Sequence, residues 1–189
     1  MDNQAITAAA LAAGQGCQAS AATFIRATQA EVHRFLVHLV GPREADDLAQ
    51  ETYLRALRSL PRFAARSSAR TWLFSIARRV AVDHVRAAMA RPRIVHVADW
   101  RATVETHGPA VDARIDEQTA LRQLLDGLAP ERREAFLVTQ MLGLSYAEAA
   151  EVCGCPVGTI RSRVARARAD LVAAMAANTS EPARRRSAR

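Results

Sequence analysis

Four arginines set among small residues between Ile160 and Leu171 carry the sharpest chemical signal in the chain. At helical spacing, Arg161, Ser162, Ala165, Arg166 and Ala169 share one face, with Arg163 and Arg168 on its flanks. Ile160, Val164, Ala167 and Leu171 fall on the opposite face and suit a core. Small residues let such a face approach a DNA major groove closely, and arginine forks reach guanine edges or phosphates. Taken alone, the same pattern also fits a solvated basic face on an ordinary surface helix.

What precedes it favours DNA. Ser145 and Glu148 have capping-box spacing ahead of a short helix to about Val152. Gly154 supplies a tight turn, and Pro156 suits the first turn of the next helix. With a helix over Glu131 to Leu142 stopped at Gly143, the layout is helix-turn-helix.

Two further groupings ask for a role. Asp47, Gln50, Glu51 and Leu54 form a polar, acidic strip on one helical face of a chain whose net charge is +7. Helix-dipole compensation accounts for Glu44 and Asp46 but fades before Glu51, so docking on a basic protein surface stands beside it as a second reading. The stretch from Arg62 to Ala69, with Phe63, Arg66, Ser67 and Ser68, leads into a helix bearing Arg70, Trp72, Arg78, Arg79 and Arg86. Aromatics beside arginines suit unstacked bases as well as a phosphate backbone. Trp72 itself lies on the apolar stripe and is expected in the core.

No catalytic arrangement emerges. The histidines are scattered, and no Gly-rich phosphate loop or nucleophile motif is found. Cys153-Gly154-Cys155 lacks the second ligand pair of a structural zinc site, so both cysteines are expected as small turn residues. No enzyme activity, metal or cofactor is expected.

These groupings need helices to hold them. Alanine dominates the apolar residues and aromatics are 5%, which favours an all-α fold. Periodicity predicts a short helix near Ile6 to Ala13, then helices over Thr23 to Val40, Pro42 to Leu60 and Arg70 to Met89. Helical patterning lapses across 91–110, where Pro92, Gly108 and Pro109 enter, and returns near Val111. Two small helical domains joined by a flexible linker follow: 23–90 and 111–176, with an Ala-rich segment over 1–22 and an unordered basic tail over 177–189.

The charge points to a polyanion. All 26 basic residues are arginine, a bias ascribed to genome composition more than to binding. Three cysteines without framework spacing, a start lacking a basic n-region and the lack of an apolar run near the roughly 20 residues of a membrane span point to the cytoplasm without membrane insertion.

Asp46-Asp47-Leu48-Ala49-Gln50-Glu51-Thr52-Tyr53-Leu54-Arg55-Ala56, continued by Phe63, Thr71-Trp72-Leu73 and Ile76-Ala77-Arg78, resembles region two of the extracytoplasmic-function sigma factors. Gly143 to Ala150 with Cys155 to Arg163 resembles their region four, and among subgroups the chain looks most like the actinobacterial sigma factor C type. The resemblance implies a non-enzymatic subunit that binds core RNA polymerase and recognises promoter DNA.

By the resemblance, Asp47, Gln50, Glu51 and Leu54 would meet the clamp helices of the polymerase largest subunit. Arg62, Phe63, Arg66, Ser67, Arg78, Arg79, Asp83 and Arg86 would melt and read the -10 element. Thr159, Arg161, Ser162, Arg163, Ala165 and Arg166 would read the -35 element. Arg79 stands where many relatives carry Asn, and Ala165 where many are larger, so base preferences do not carry over. Relatives often have an anti-sigma factor, a further partner that no residue here demands. The rival reading, a stand-alone helix-turn-helix regulator binding operator DNA as a dimer, leaves the acidic strip and the Arg62 loop unused.

Overall fold

Strong helix formers dominate the sequence, and the computed structural model, which describes residues 1–90 and 120–186, is built of helices and short connections. No strand occurs among the described residues. Linker 91–110, positions 111–119 of the second domain and the tail's end at 187–189 lie outside them.

Helix α1 spans Asn3–Gly14, longer than expected because Asp2 caps it, its Oδ1 accepting from the Ala5 N–H at 2.7 Å. Helix α2, Gln18–Val40, ends where Gly41 takes φ 107°, and Pro42 opens α3, Pro42–Ser59. A 3₁₀ turn over Leu60–Arg62 holds Pro61 and leads through a loop at 63–68 into α4, Ala69–Ala90. Ser68 caps α4 by accepting the Thr71 N–H at 3.1 Å.

These four helices bury the expected stripes. Phe24, Phe35 and Leu36 of α2 meet Leu73, Phe74 and Val80 of α4, and Ile6 and Ala10 of α1 join the same core. Phe35 and Phe74 pack edge to face at 5.5 Å, a favoured aromatic geometry. Between α2 and α3, the Thr28 and Tyr53 hydroxyls lie 2.8 Å apart, and burial pushes Tyr53 up to about 12.

The second module contains α5 over 120–126, α6 (Pro130–Phe136), a π-helical turn (Leu137–Met141), α7 (Tyr146–Cys153) and α8 (Val157–Arg186). The single helix expected over Glu131 to Leu142 therefore changes pitch. Leu142 donates to the Leu137 carbonyl at 3.1 Å while the Thr139 hydroxyl takes the Ala135 carbonyl at 2.8 Å, drawing that acceptor toward a side chain. Helix α8 continues to Arg186, into the segment expected as an unordered tail.

The modules touch. Helix α4 lies against α7, and α2 against the π-helical turn. Arg78 of α4 grips Glu134 of α6 through Nε and Nη2, the latter at 3.2 Å from Oε2. Arg70 joins Glu31 through Nε at 3.0 Å and the Leu142 carbonyl through Nη2 at 3.0 Å. The Thr71 hydroxyl donates to Glu148 at 3.2 Å. Sequence reasoning expected a linker alone to join the two.

Candidate nucleic-acid interface

The capping box forms as predicted. The Glu148 N–H donates to Ser145 Oγ at 3.2 Å, and the Ser145 N–H donates to Glu148 Oε2 at 2.9 Å. Gly154 closes α7 at φ 64°, a left-handed position that glycine adopts without steric cost. Pro156 stands just before α8 and accepts the Thr159 N–H at 2.9 Å through its carbonyl, one position earlier than expected. Cys153 is buried in this turn, its thiol pushed up to about 12 by that burial, and Cys155 is half-buried.

On α8, Ile160, Val164 and Ala167 are buried, which turns Arg161, Ser162, Ala165 and Arg166 outward. Arg161 and Arg166 have no hydrogen-bond or ion-pair partner among the described residues. Arg163 is half-buried with Nη1 3.7 Å from Cys155 Sγ, and Thr159 is half-buried with its carbonyl accepting from Ser162 Oγ at 3.0 Å. Arg168 turns back to Gln140 at 2.9 Å. The expected groove-facing set is thus presented together, with Thr159 and Arg163 at its margin.

The 63–68 loop makes a second surface. Trp72, expected in the core, is only half-buried and packs on Phe63 with ring centroids 4.8 Å apart. The pair helps line a cavity of about 290 Å³ together with Arg62, Arg66 and Ser67. Arg62 and Arg66 are exposed and unpaired among the described residues. Ala65, at φ 48°, is the only non-glycine residue among the described residues with positive φ, a conformation that costs roughly 1 to 2 kcal/mol.

Along α4 the expected residues part company. Arg79 and Arg86 are exposed, whereas Arg78 is tied to Glu134 and Asp83 accepts from Arg55 Nη1 at 2.9 Å. Arg55 Nε also holds Glu51 at 2.7 Å, so the acid that the helix dipole left unexplained has an internal partner. Asp47 and Gln50 remain exposed, and Leu54 is 50% exposed. Gln50 and Leu54 line a groove of about 750 Å³ between α2 and α3 with Ile25, Ala30, Tyr53 and Leu57. Apart from Leu54, the apolar members of that groove were missed in the sequence. The exposed leucines at 54 and 57, off the buried stripe, were the available signal.

The family description "Sigma-70 region 2" matches residues 24–91, and "Sigma-70, region 4" matches residues 118–171. Together they define a sigma factor built on regions 2 and 4. The ECF RNA polymerase sigma factor SigC of Mycobacterium tuberculosis (strain CDC 1551 / Oshkosh) is 49% identical over 172 residues, covering 91% of this chain and 92% of its own. EcfG, an ECF RNA polymerase sigma factor of Rhodopseudomonas palustris, is 38% identical, with 83% of this chain and 86% of its own covered. Among solved structures, CnrH in complex with the cytosolic domain of CnrY aligns at a TM-score of 0.72 and 25% identity, over 92% of this chain and 98% of that one. The sigma factor RpoE of Bartonella quintana, in complex with the anti-sigma factor NepR, aligns at 0.64 and 28%, over 78% and 91%.

The chain belongs to the extracytoplasmic-function sigma factors of the sigma-70 family: it binds core RNA polymerase and directs promoter-specific transcription initiation. This family is not an enzyme class. Among the described residues no helix is long and apolar enough to cross a membrane.

Proposed function

We propose that three surfaces divide the work of initiation, with 23–90 acting as region 2, 91–110 as linker and 111–176 as region 4. The groove between α2 and α3, with Gln50 and Leu54 in it and Asp47 beside it, docks on the clamp helices of the polymerase largest subunit. An apolar floor under a polar rim suits a protein partner. Glu51 acts there through Arg55, holding the α3 edge in place.

Helix α8 reads the -35 element in duplex DNA with Arg161, Ser162, Ala165 and Arg166, while Thr159 and Arg163 support its edge. The loop reads the -10 element after melting, with Phe63 and Trp72 stacking on an extruded base and Arg62, Arg66 and Ser67 steering the strand. Arg79 and Arg86 extend this track. The observation that carries the division is the aromatic-walled cavity between unpaired arginines, a shape for a single base and not for a duplex.

Arg78 has its Nε and Nη2 edge occupied by Glu134 and cannot offer that edge to DNA. Its part in -10 reading therefore begins when the two modules separate on the polymerase. Asp83 joins this -10 surface at its edge while positioning Arg55. The chain catalyses nothing of its own and works in the cytoplasm beside the polymerase. An anti-sigma factor is a further partner, supported by the RpoE–NepR likeness.

A gel shift on a cognate promoter fragment, with and without core polymerase, tests the reading. A specific complex that requires core is expected. A specific dimeric complex formed by the chain alone would favour the operator-binding regulator.

A further inference from the structure

Helix α1 lies outside the residues matched to region 2, which begin at 24, and nothing above gives it a task. Half of its residues are alanine, yet one face is committed. Ile6 and Ala10 are buried, Thr7 and Gly14 are half-buried, and all fall at helical spacing along one stripe. That stripe meets the 3₁₀ turn and the start of α4, the two ends of the 63–68 loop.

Each end is held by a specific contact. At the downstream end, the Ala69 N–H is one of the donors left without an intrahelical partner at the start of α4, and Thr7 Oγ1 accepts it at 3.1 Å. Thr7 keeps its hydroxyl aimed there by donating to its own helix, at the Asn3 carbonyl, 2.8 Å away. At the upstream end, Gly14 lies so close to the turn that a Cβ there would stand 2.5 Å from the Leu60 carbonyl oxygen. That carbonyl in turn accepts the Phe63 N–H at 3.0 Å, the bond that starts the loop. The same helix thus touches the turn before the loop and the residue after it.

Between these two grips sits Ala65 at φ 48°. An alanine persists in the left-handed region only where its surroundings over-determine it. The loop offers few contacts of its own: Ala64, Ala65 and Arg66 are exposed, and the Phe63–Trp72 pair is its main anchor. Fixed ends are what keep so short a segment from relaxing.

We propose that α1 is a clamp that sets the shape of the strand-reading loop, with Thr7 and Gly14 as positioning residues for -10 recognition. The inference rests on the reading of that loop given above. Neither residue touches DNA. They act by holding Leu60 and Ala69 at the separation that leaves the Phe63–Trp72 cavity open, so that the loop meets an extruded base without first ordering itself.

The test uses the full chain assembled with core polymerase on a cognate promoter carrying a fluorescent reporter in the -10 element. Thr7→Val removes the acceptor and keeps the shape, Thr7→Ser restores it, and Gly14→Ala pushes on the Leu60 carbonyl. Phe63→Ala is the control for the loop itself. Holoenzyme affinity, closed-complex affinity, opening rate and the thermal midpoint of the free chain are read for each. Thr7→Val is expected to slow opening by roughly two- to tenfold, the range one lost hydrogen bond supports, with holoenzyme and closed-complex affinities unchanged and Thr7→Ser close to the parent.

Gly14→Ala is expected to slow opening at least as much. If it fails to fold, Thr7→Val and Thr7→Ser still decide the matter. Normal opening in Thr7→Val beside slow opening in Phe63→Ala overturns the clamp and leaves the loop's role standing. Parallel loss of core affinity and opening, unrescued by serine, overturns it in favour of a purely structural helix. Normal opening in Phe63→Ala removes the loop's role and the clamp with it.

Discussion

Arg161 and Arg166 of α8 and Arg70 and Arg78 of α4 stand in opposite situations within one chain. Arg161 and Arg166 have no internal partner among the described residues, so the surface proposed to read duplex DNA is open as it stands. Arg70 and Arg78 are bound to Glu31, Leu142 and Glu134, so part of the surface proposed to read the melted strand is covered by region 4 itself. Like residue types in like numbers therefore say little about availability. The lesson is that what an arginine can reach depends on what already holds it, and in the division of labour proposed above one DNA surface is ready while the other waits on domain separation.

The contrast can be broken from either side. Replacing Arg161 and Arg166 with alanine is expected to cause the largest loss, about 1 to 3 kcal/mol at each position if each makes a bidentate base contact. Footprinting of the holoenzyme over the upstream element, with wild-type and substituted -35 sequences, measures both the affinity lost and the preference relaxed.

On the α4 side, Glu134→Ala leaves the half-buried Arg78 without its carboxylate. Charge-assisted hydrogen bonds of this kind contribute about 1.5 to 3 kcal/mol. Hydrogen exchange should therefore rise at the α4–α7 contact while exchange in the Phe35–Phe74 core is unchanged. Unaltered exchange at that contact would mean that apolar packing alone holds the modules together.

A smaller effect is expected at the groove between α2 and α3 proposed to dock on the polymerase. Leu54→Glu places a charge where half-exposed apolar surface meets the partner, and a loss of about 1 to 2 kcal/mol in core affinity is expected from the burial forgone. Titration of labelled core polymerase measures it, with α8 binding to duplex DNA as the unaffected control.

The smallest effect is a pH dependence at Glu148. Burial acts to raise its pKa, but hydrogen bonds from the Ser145 N–H and hydroxyl and from Thr71, with the Arg70 charge, hold it below the ordinary glutamate value. Folding thus favours the ionised form. Its stabilisation is complete above the ordinary value and is lost as pH falls through the lowered one. Glu148→Gln should lower the thermal midpoint near neutral pH by the equivalent of about 1 kcal/mol, the usual worth of a capping residue, and the two curves should converge in acid.

How far the sequence could be read follows from contact range. The helix-turn-helix was predictable because its signals are local: Ser145 and Glu148 are three residues apart, and Gly154 and Pro156 mark the turn by their own backbone preferences. The amphipathic stripes through Phe35 and Leu73 followed from period alone. The Arg78–Glu134 pair could not be read, because nothing in the neighbourhood of Arg78 announces a partner from another module. Thr7 was hidden for a related reason: it sits in an alanine-rich segment, and its partner is a backbone N–H at Ala69, which no side-chain pattern reports. Trp72 was misplaced because a stripe defines a direction and not a depth, and only the Phe63 contact shows that it stands at the core's edge.

Transcription by reconstituted holoenzyme from duplex and pre-melted bubble templates, with permanganate reactivity at the -10 element, tests the division of labour most directly. Phe63→Ala combined with Arg66→Ala should form closed complexes nearly as the parent does, open the duplex slowly and recover on the bubble. Arg161→Ala should bind the upstream element poorly, and the bubble should rescue it less fully. Equal rescue of both variants, or of neither, would contradict the assignment of the two surfaces.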